Sequence, residues 1–394
     1  MIYFDNASTS WPKPKEVLDE VTSYFYHVGV NPSRGAYQQA LHAEQIVSET
    51  REGLAEMFNV QDPDHLCFTL NATQSLNIVL KGLLKPGDHV LISNFEHNSI
   101  IRPLERILQT KGISYTVYES DKDGFFNVEQ IENLITDKTR LITCNHGSNV
   151  IGVINPLATM SKLAQKHNLL FLVDCAQTAG HTEIDVEKYK IDFLAGTAHK
   201  SLLGPSGVGF LYIKNPDLVD TFSEGGSGHN SSSKKHPKTM PLKFEAGTPN
   251  YLGIAGFNAS LRYLKDKNYI KIHNYEMELL NTLISKLKEI DEIVIYGTQE
   301  LSFKIPLLSF NVRGLFATEC SYTLDKEYNI CTRGGLQCAP LIHKTLNTFP
   351  HGTVRVSLGY NNSLQEVDTL IDALKKICSD MRPSYSTGEV SCKK

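Results

Sequence analysis

Hydrophobic positions along the chain alternate between two periods. Short apolar runs bounded by Gly, Asn, Asp or Ser read as buried strands at residues 66–70, 89–93, 113–118, 141–144, 169–173 and 193–195. Stretches with helical spacing lie among them. Residues 15–26 put Val17, Leu18, Val21 and Phe25 on one face, and residues 42–58 are rich in Ala, Glu and Gln. Leu76, Val79, Leu80 and Leu83 mark a helix after the first strand; two more fall at residues 128–135 and 157–167. A polar, helix-like connection is expected between His181 and Ile191. Strands and helices in this alternation predict a mostly parallel sheet with helices on both faces. After Tyr212 the pattern changes. Residues 224–238 are Gly-, Ser- and Lys-rich without apolar period, which predicts a mobile loop or hairpin. Helices at 251–264, 270–290, 318–327 and 364–376, with strands at 293–296, 307–311 and 354–358, predict a smaller α+β domain. The expected division is a large α/β domain over 14–256, a small domain over 1–13 and 257–380, and a disordered tail over 381–394. Residues 1–13 read as an extended arm.

Composition changes this picture little. The 394 residues are 41% hydrophobic and 21% charged, with net charge −4 and both signs mixed. Nothing there argues for a nucleic-acid or membrane partner. No apolar run approaches a membrane span of about 18 residues, and the first residues lack an apolar export signal. A cytoplasmic location is expected. The eight cysteines form no CxxC pairs, so neither a disulfide framework nor a metal centre is indicated.

Open α/β sheets place ligands at the carboxyl ends of their strands, and the chemistry-bearing residues fall there. Asp174 ends an apolar run, where a carboxylate needs a cationic or hydrogen-bonded partner; Gln177 follows three residues on. His199 and Lys200 lie just past the next run. A buried acid, a lysine able to lose its proton and a glycine-rich exit are the parts needed to hold an aldehyde cofactor. Asn71, Ala72 and Thr73 lie between strand and helix, where an N-cap and an anion site look alike. His97 and Asn149 follow other strand ends. Cys338 sits in RGGLQCAP, five residues after Arg333; a loop cysteine near a cation is either incidental or an accessible thiolate. Arg355 lies inside a short apolar strand and should pair with a carboxylate of the protein or of a substrate.

The ordered motifs NATQSLN, EHNSI, SNVIG, VDCAQTAGH, GTAHKSLLGPSGVG, FEAGTPN, RGGLQCAP and VRVSLG resemble the class V aminotransferase-like enzymes of fold type I, which use pyridoxal 5′-phosphate. Within these they are most similar to group II cysteine desulfurases and selenocysteine lyases. The resemblance implies that Lys200 holds the cofactor covalently, that Asp174 pairs with its ring nitrogen and that Gln177 meets its ring oxygen. It further implies that His97 stacks on the ring and helps move protons. Ala72, Thr73, Thr197 and His199 would hold the phosphate, and Asn149 would approach ring and substrate. Gly247 and Thr248 would reach the phosphate of a second subunit, which implies a homodimer with shared sites. Arg355 would bind the substrate carboxylate, Arg34 would lie at the pocket mouth, and Cys338 would be the nucleophile. Enzymes of this group commonly carry a histidine before that cysteine; this chain has Gln337. The expected activity is removal of sulfur from L-cysteine, giving L-alanine and a Cys338 persulfide for an acceptor protein. Selenocysteine lyase, β-lyase or aminotransferase activity, and a non-catalytic protein of the same fold, are the alternatives.

Overall fold

The computed structural model describes residues 1–32, 35–229 and 231–381. A short strand β1 (Ile2–Tyr3) opens the chain. The large layer follows as α1 (Lys15–Ser23), α2 (Gln38–Phe58), β2 (Leu66–Thr69), α3 (Ala72–Leu83), β3 (His89–Ser93), α4 (Asn98–Lys111), β4 (Ser114–Tyr118), α5 (Val128–Glu132), β5 (Thr139–Asn145), α6 (Leu157–Lys166), β6 (Leu170–Asp174), β7 (Phe193–Thr197), β8 (Gly209–Ile213) and α7 (Tyr251–Lys267). The remainder is α8 (Tyr269–Leu287), β9 (Ile293–Tyr296), β10 (Leu307–Val312), α9 (Ala317–Tyr328), β11 (Ile330–Cys331), β12 (Arg333–Gly335), α10 (Pro340–Thr345), β13 (Thr353–Ser357) and α11 (Leu364–Met381).

Seven strands form the main sheet in the order β2-β8-β7-β6-β5-β3-β4. Only β8 runs against its neighbours, β2 and β7. The fold is thus α/β with a mostly parallel sheet, as the alternation predicts. Each central strand is apolar on both faces because both are covered. Phe171 and Val173 of β6 pack toward α2, α6 and α7, while Leu172 packs toward α3 and α4. A four-stranded antiparallel sheet, β12-β13-β10-β9, has its own core with α8, α9 and α11. The expected boundary at residue 256 lies inside α7, whose Phe257, Leu261 and Leu264 belong to the large core.

Three local expectations change. The connection between β6 and β7 contains no helix; it is a series of turns, with Gly180 left-handed at φ +87°, that sends Ile184, Val186 and Ile191 into the core. The arm is anchored, since β1 pairs in parallel with β11. The RGGLQCAP stretch is a strand, β12, followed by a turn in which Gln337 (φ +44°) and Cys338 (φ +60°) are both left-handed. Two successive L-residues in that region store strain of about 1–3 kcal/mol each, so the turn must be held by its surroundings. Residues 224–238 carry no helix or strand among the described residues. Arg34 and the tail from residue 382 lie outside the described residues.

Candidate active site

Sheet order reverses between β3 and β5, and ligands bind at the carboxyl ends beside such a reversal. A cavity of ≈ 410 Å³ occupies that position. Ala72, Thr73, His97, Asn149, Asp174, Gln177, Thr197, His199, Lys200, Cys338 and Arg355 all line it. The chain thus brings together residues from five strand ends of the large sheet, those of β2, β3, β5, β6 and β7, with the turn after β12 and strand β13 of the small one.

Asp174 is buried at the end of β6, and its Oδ1 accepts the Ala176 N–H at 2.9 Å. Burial pushes its carboxyl above the ordinary range, against that hydrogen bond and the charge of Lys200. A protonated ring nitrogen is the partner that reverses this penalty. Lys200 is partly exposed to the cavity, and desolvation lowers its ammonium to about 8, with Asp174 opposing the shift. Such an amine is free to act as nucleophile and base near neutral pH. His97 caps α4: its Nδ1 accepts the Ser99 N–H at 3.1 Å, which leaves the ring proton on Nε2. Burial and the neighbouring Lys200, Arg102 and Arg355 charges hold it neutral, near pKa 4.

The start of α3 serves as both cap and cradle. Asn71 Oδ1 accepts the Gln74 N–H at 3.0 Å, as an N-cap does. The Ala72 and Thr73 N–H groups precede any intrahelical acceptor and remain available to an anion. Thr73 Oγ1 meets Ser99 Oγ at 2.7 Å, which ties the cradle to the His97 cap. His199 Nδ1 is buried without a partner, and so is Asn149 Oδ1. Orphaned polar atoms of this kind in a built cavity fit a polar ligand, and the donor set around them fits a phosphorylated pyridine aldehyde.

Five arrangements go beyond the sequence pattern. Arg355 is 3% exposed and already has a protein carboxylate: its Nη2 donates to Asp5 Oδ1 at 2.7 Å and to Ser8 Oγ at 2.8 Å. Its Nη1 donates to Asn149 O at 3.0 Å, and its Nε has no partner. Arg333, which lines the same cavity as Cys338, shares Asp5 with Arg355, at 2.7 Å from Oδ2. Gln177 spends its Nε2 on Ala7 O at 2.9 Å, so its side chain is a strut to the arm. Gln337 is a strut as well: Nε2 donates to Thr353 O at 2.7 Å, and Oε1 meets His343 Nε2 at 3.1 Å. Together with Asn149 Nδ2, which donates to Gln337 O at 2.6 Å, these bonds hold the strained turn that exposes Cys338. Fully buried Glu96 lies behind Asp174 and was not anticipated. Its Oε1 accepts from Thr143 Oγ1, Ser93 Oγ and Asn145 N, and Oε2 has no partner. Burial raises its pKa to about 7. The only sequence signal for Asp5 is its place in FDNAST, and for Glu96 its place beside His97. Gly247 and Thr248 are exposed and lie outside this cavity.

Known proteins resemble this chain along nearly its whole length. A “Probable cysteine desulfurase” of Pyrococcus abyssi is 35% identical over 392 residues, covering 98% of this chain and 96% of that one. A cysteine desulfurase of Escherichia coli O7:K1 is 31% identical, covering 96% and 93%. Among solved structures, the apo cysteine desulfurase of Thermococcus onnurineus superposes with a TM-score of 0.90 at 32% identity, over 96% of this chain and 95% of that one. The family described as Aminotransferase class-V matches residues 2–370, and this chain belongs to it.

Proposed function

We propose that the chain is a pyridoxal 5′-phosphate-dependent cysteine desulfurase, which takes sulfur from L-cysteine and leaves L-alanine. The observation that carries this reading is the presence of Lys200, Asp174, Arg355 and the exposed Cys338 around one cavity. Pyridoxal phosphate supplies an electron sink that weakens bonds at the substrate α-carbon and beyond. Lys200 would hold its aldehyde, Asp174 its ring nitrogen, His97 one ring face, and Ala72, Thr73, Thr197 and His199 its phosphate. Gln177 supports the ring-oxygen side through the arm.

Arg355, held by Asp5 and Ser8, offers its unpartnered Nε side to the substrate carboxylate. Lys200 Nζ accepts the α-proton. Cys338 Sγ, as thiolate, attacks the substrate sulfur; the S–S bond forms as the carbon–sulfur bond breaks, and that electron pair goes to carbon. Protonation of carbon gives alanine, and the sulfur remains as a Cys338 persulfide for an acceptor. Two features support a homodimer with shared sites: Gly247 and Thr248 face solvent away from their own cavity, and Phe25, Tyr26, Tyr37 and Leu41 are exposed apolar side chains. The seven described cysteines are all free, in keeping with a reducing, cytoplasmic setting. No helix among the described residues is long and apolar enough to cross a membrane.

The test is product analysis with L-cysteine. Wild type should form alanine and a persulfide on Cys338. Cys338→Ala should form no alanine from cysteine while keeping part of any activity on selenocysteine, whose carbon–selenium bond is weaker. Full cysteine activity in Cys338→Ala sinks the persulfide route.

A further inference from the structure

A second cluster of chemistry-bearing side chains sits where α8 meets the turns after β6. His181 comes from those turns, its N–H bonded to Thr178 O at 2.9 Å. His273 and Glu276 are three residues apart on α8 and so share one helix face. One ligand-type atom from each of the three lies within 4.8 Å of the other two. The two imidazole rings are 5.5 Å apart, centroid to centroid. His181 Nδ1 approaches Glu276 Oε2 at 3.3 Å, an ion-pair distance without hydrogen-bond geometry. His181 Nδ1, His273 Nδ1 and Glu276 Oε2 are each buried with no hydrogen-bond partner.

Three converging orphans need an explanation. Each buried polar atom left unpaired costs about 1–3 kcal/mol, and native structures keep few of them. A proton shared by His181 and Glu276 accounts for two atoms and leaves His273 Nδ1 unpaired. One cation accounts for all three. Two imidazoles and a carboxylate suit zinc and its neighbours, whereas magnesium and calcium take oxygen ligands. Beside the cluster is a cavity of ≈ 30 Å³ lined by His181, Glu276, Gln177 and Ser201, with room for one water.

The geometry points to a divalent transition-metal site of the zinc class, formed by His181, His273 and Glu276 with a water as fourth ligand. None of the three ligands lines the active-site cavity, so the site does not depend on the reaction proposed above. Its consequence is mechanical. The ion ties α8 of the small domain to the turns that carry Gln177 toward the active site, four residues before His181.

The experiment is zinc chloride titration of chelator-stripped, cofactor-loaded, full-length protein, with a Cys338→Ser protein beside it to remove the exposed thiol. Both should take up a single zinc ion per chain. Zinc K-edge absorption should show only nitrogen and oxygen neighbours at about 2.0–2.2 Å. His273→Gln, at a partly exposed helix position, should weaken binding at least about tenfold with unchanged circular dichroism. His273→Cys should restore binding and bring in one sulfur at about 2.3 Å. No saturable binding by wild type, sulfur in the wild-type shell, or equal binding by folded His273→Gln overturns the site. Should His273→Gln not fold, the wild-type shell and the His273→Cys sulfur decide alone.

Discussion

Replacing Asp5 with asparagine keeps the shape of the side chain and removes the charge that faces two guanidinium groups. Arg355 is the partner that matters: it is 3% exposed, and its 2.7 Å bond to Asp5 Oδ1 lies out of water. Two unit charges about 4 Å apart interact by about 4 kcal/mol at an effective dielectric constant of about 20. Breaking a buried pair by losing one member costs about 3–5 kcal/mol. Arg355 keeps Ser8 Oγ and Asn149 O and borders the cavity, where water relieves it, so the lower end, about 3 kcal/mol, is expected. Arg333 is half exposed and adds less than about 1 kcal/mol. Denaturant unfolding of Asp5→Asn, Arg355→Met and the double variant measures the coupling. Asp5→Asn alone should lose about 3 kcal/mol, and in the Arg355→Met background little more than the Arg333 share. Because Arg355 binds the substrate carboxylate in our reading, KM for cysteine should rise more than kcat falls. An equal loss in both backgrounds, or none in either, refutes the reasoning.

Glu96→Gln tests the buried acid behind Asp174. Burial raises the native pKa to about 7, above the unfolded value, so this group destabilises the fold progressively as pH rises from the unfolded pKa to about 7. The stability gain of Glu96→Gln over wild type should therefore grow across that window to the order of 3 kcal/mol and then level off; a gain independent of pH contradicts the assignment. Gly209→Ala places a Cβ 2.7 Å from the Asn71 backbone, which cannot yield without moving the α3 cradle. Loss of about 1–3 kcal/mol and faster loss of cofactor absorbance on dialysis are expected. Lys200→Ala should show no absorbance band from covalently held cofactor, whereas Gln337→Ala should keep that band and lower alanine formation, since Gln337 braces the Cys338 turn.

Local patterning by itself determined the sheet and its contents. Runs such as Leu170–Asp174 and Phe193–Thr197 are apolar on both faces, and a strand of that composition is stable only in a covered sheet. The residues that end those runs, Asp174 and Thr197, must then meet at one edge, with Lys200 beside them. Motif order along the chain supplied the cofactor. The partner of Arg355 was not legible. Strand patterning says that an arginine there needs a carboxylate, but not which one; Asp5 lies 350 residues away, and the pairing of β1 with β11 and the bridge from Asp5 to Ser357 of β13 carry it to the site. Gln177 and Gln337 are similar cases. Gln177 was assigned by its place in a motif and Gln337 stood out only as a departure from one; each spends its amide on a backbone carbonyl of a distant element, Ala7 or Thr353. Sequence spacing encodes which face of an element a side chain occupies. Which polar groups remain free after folding depends on long-range pairing, and the tertiary structure alone settles that.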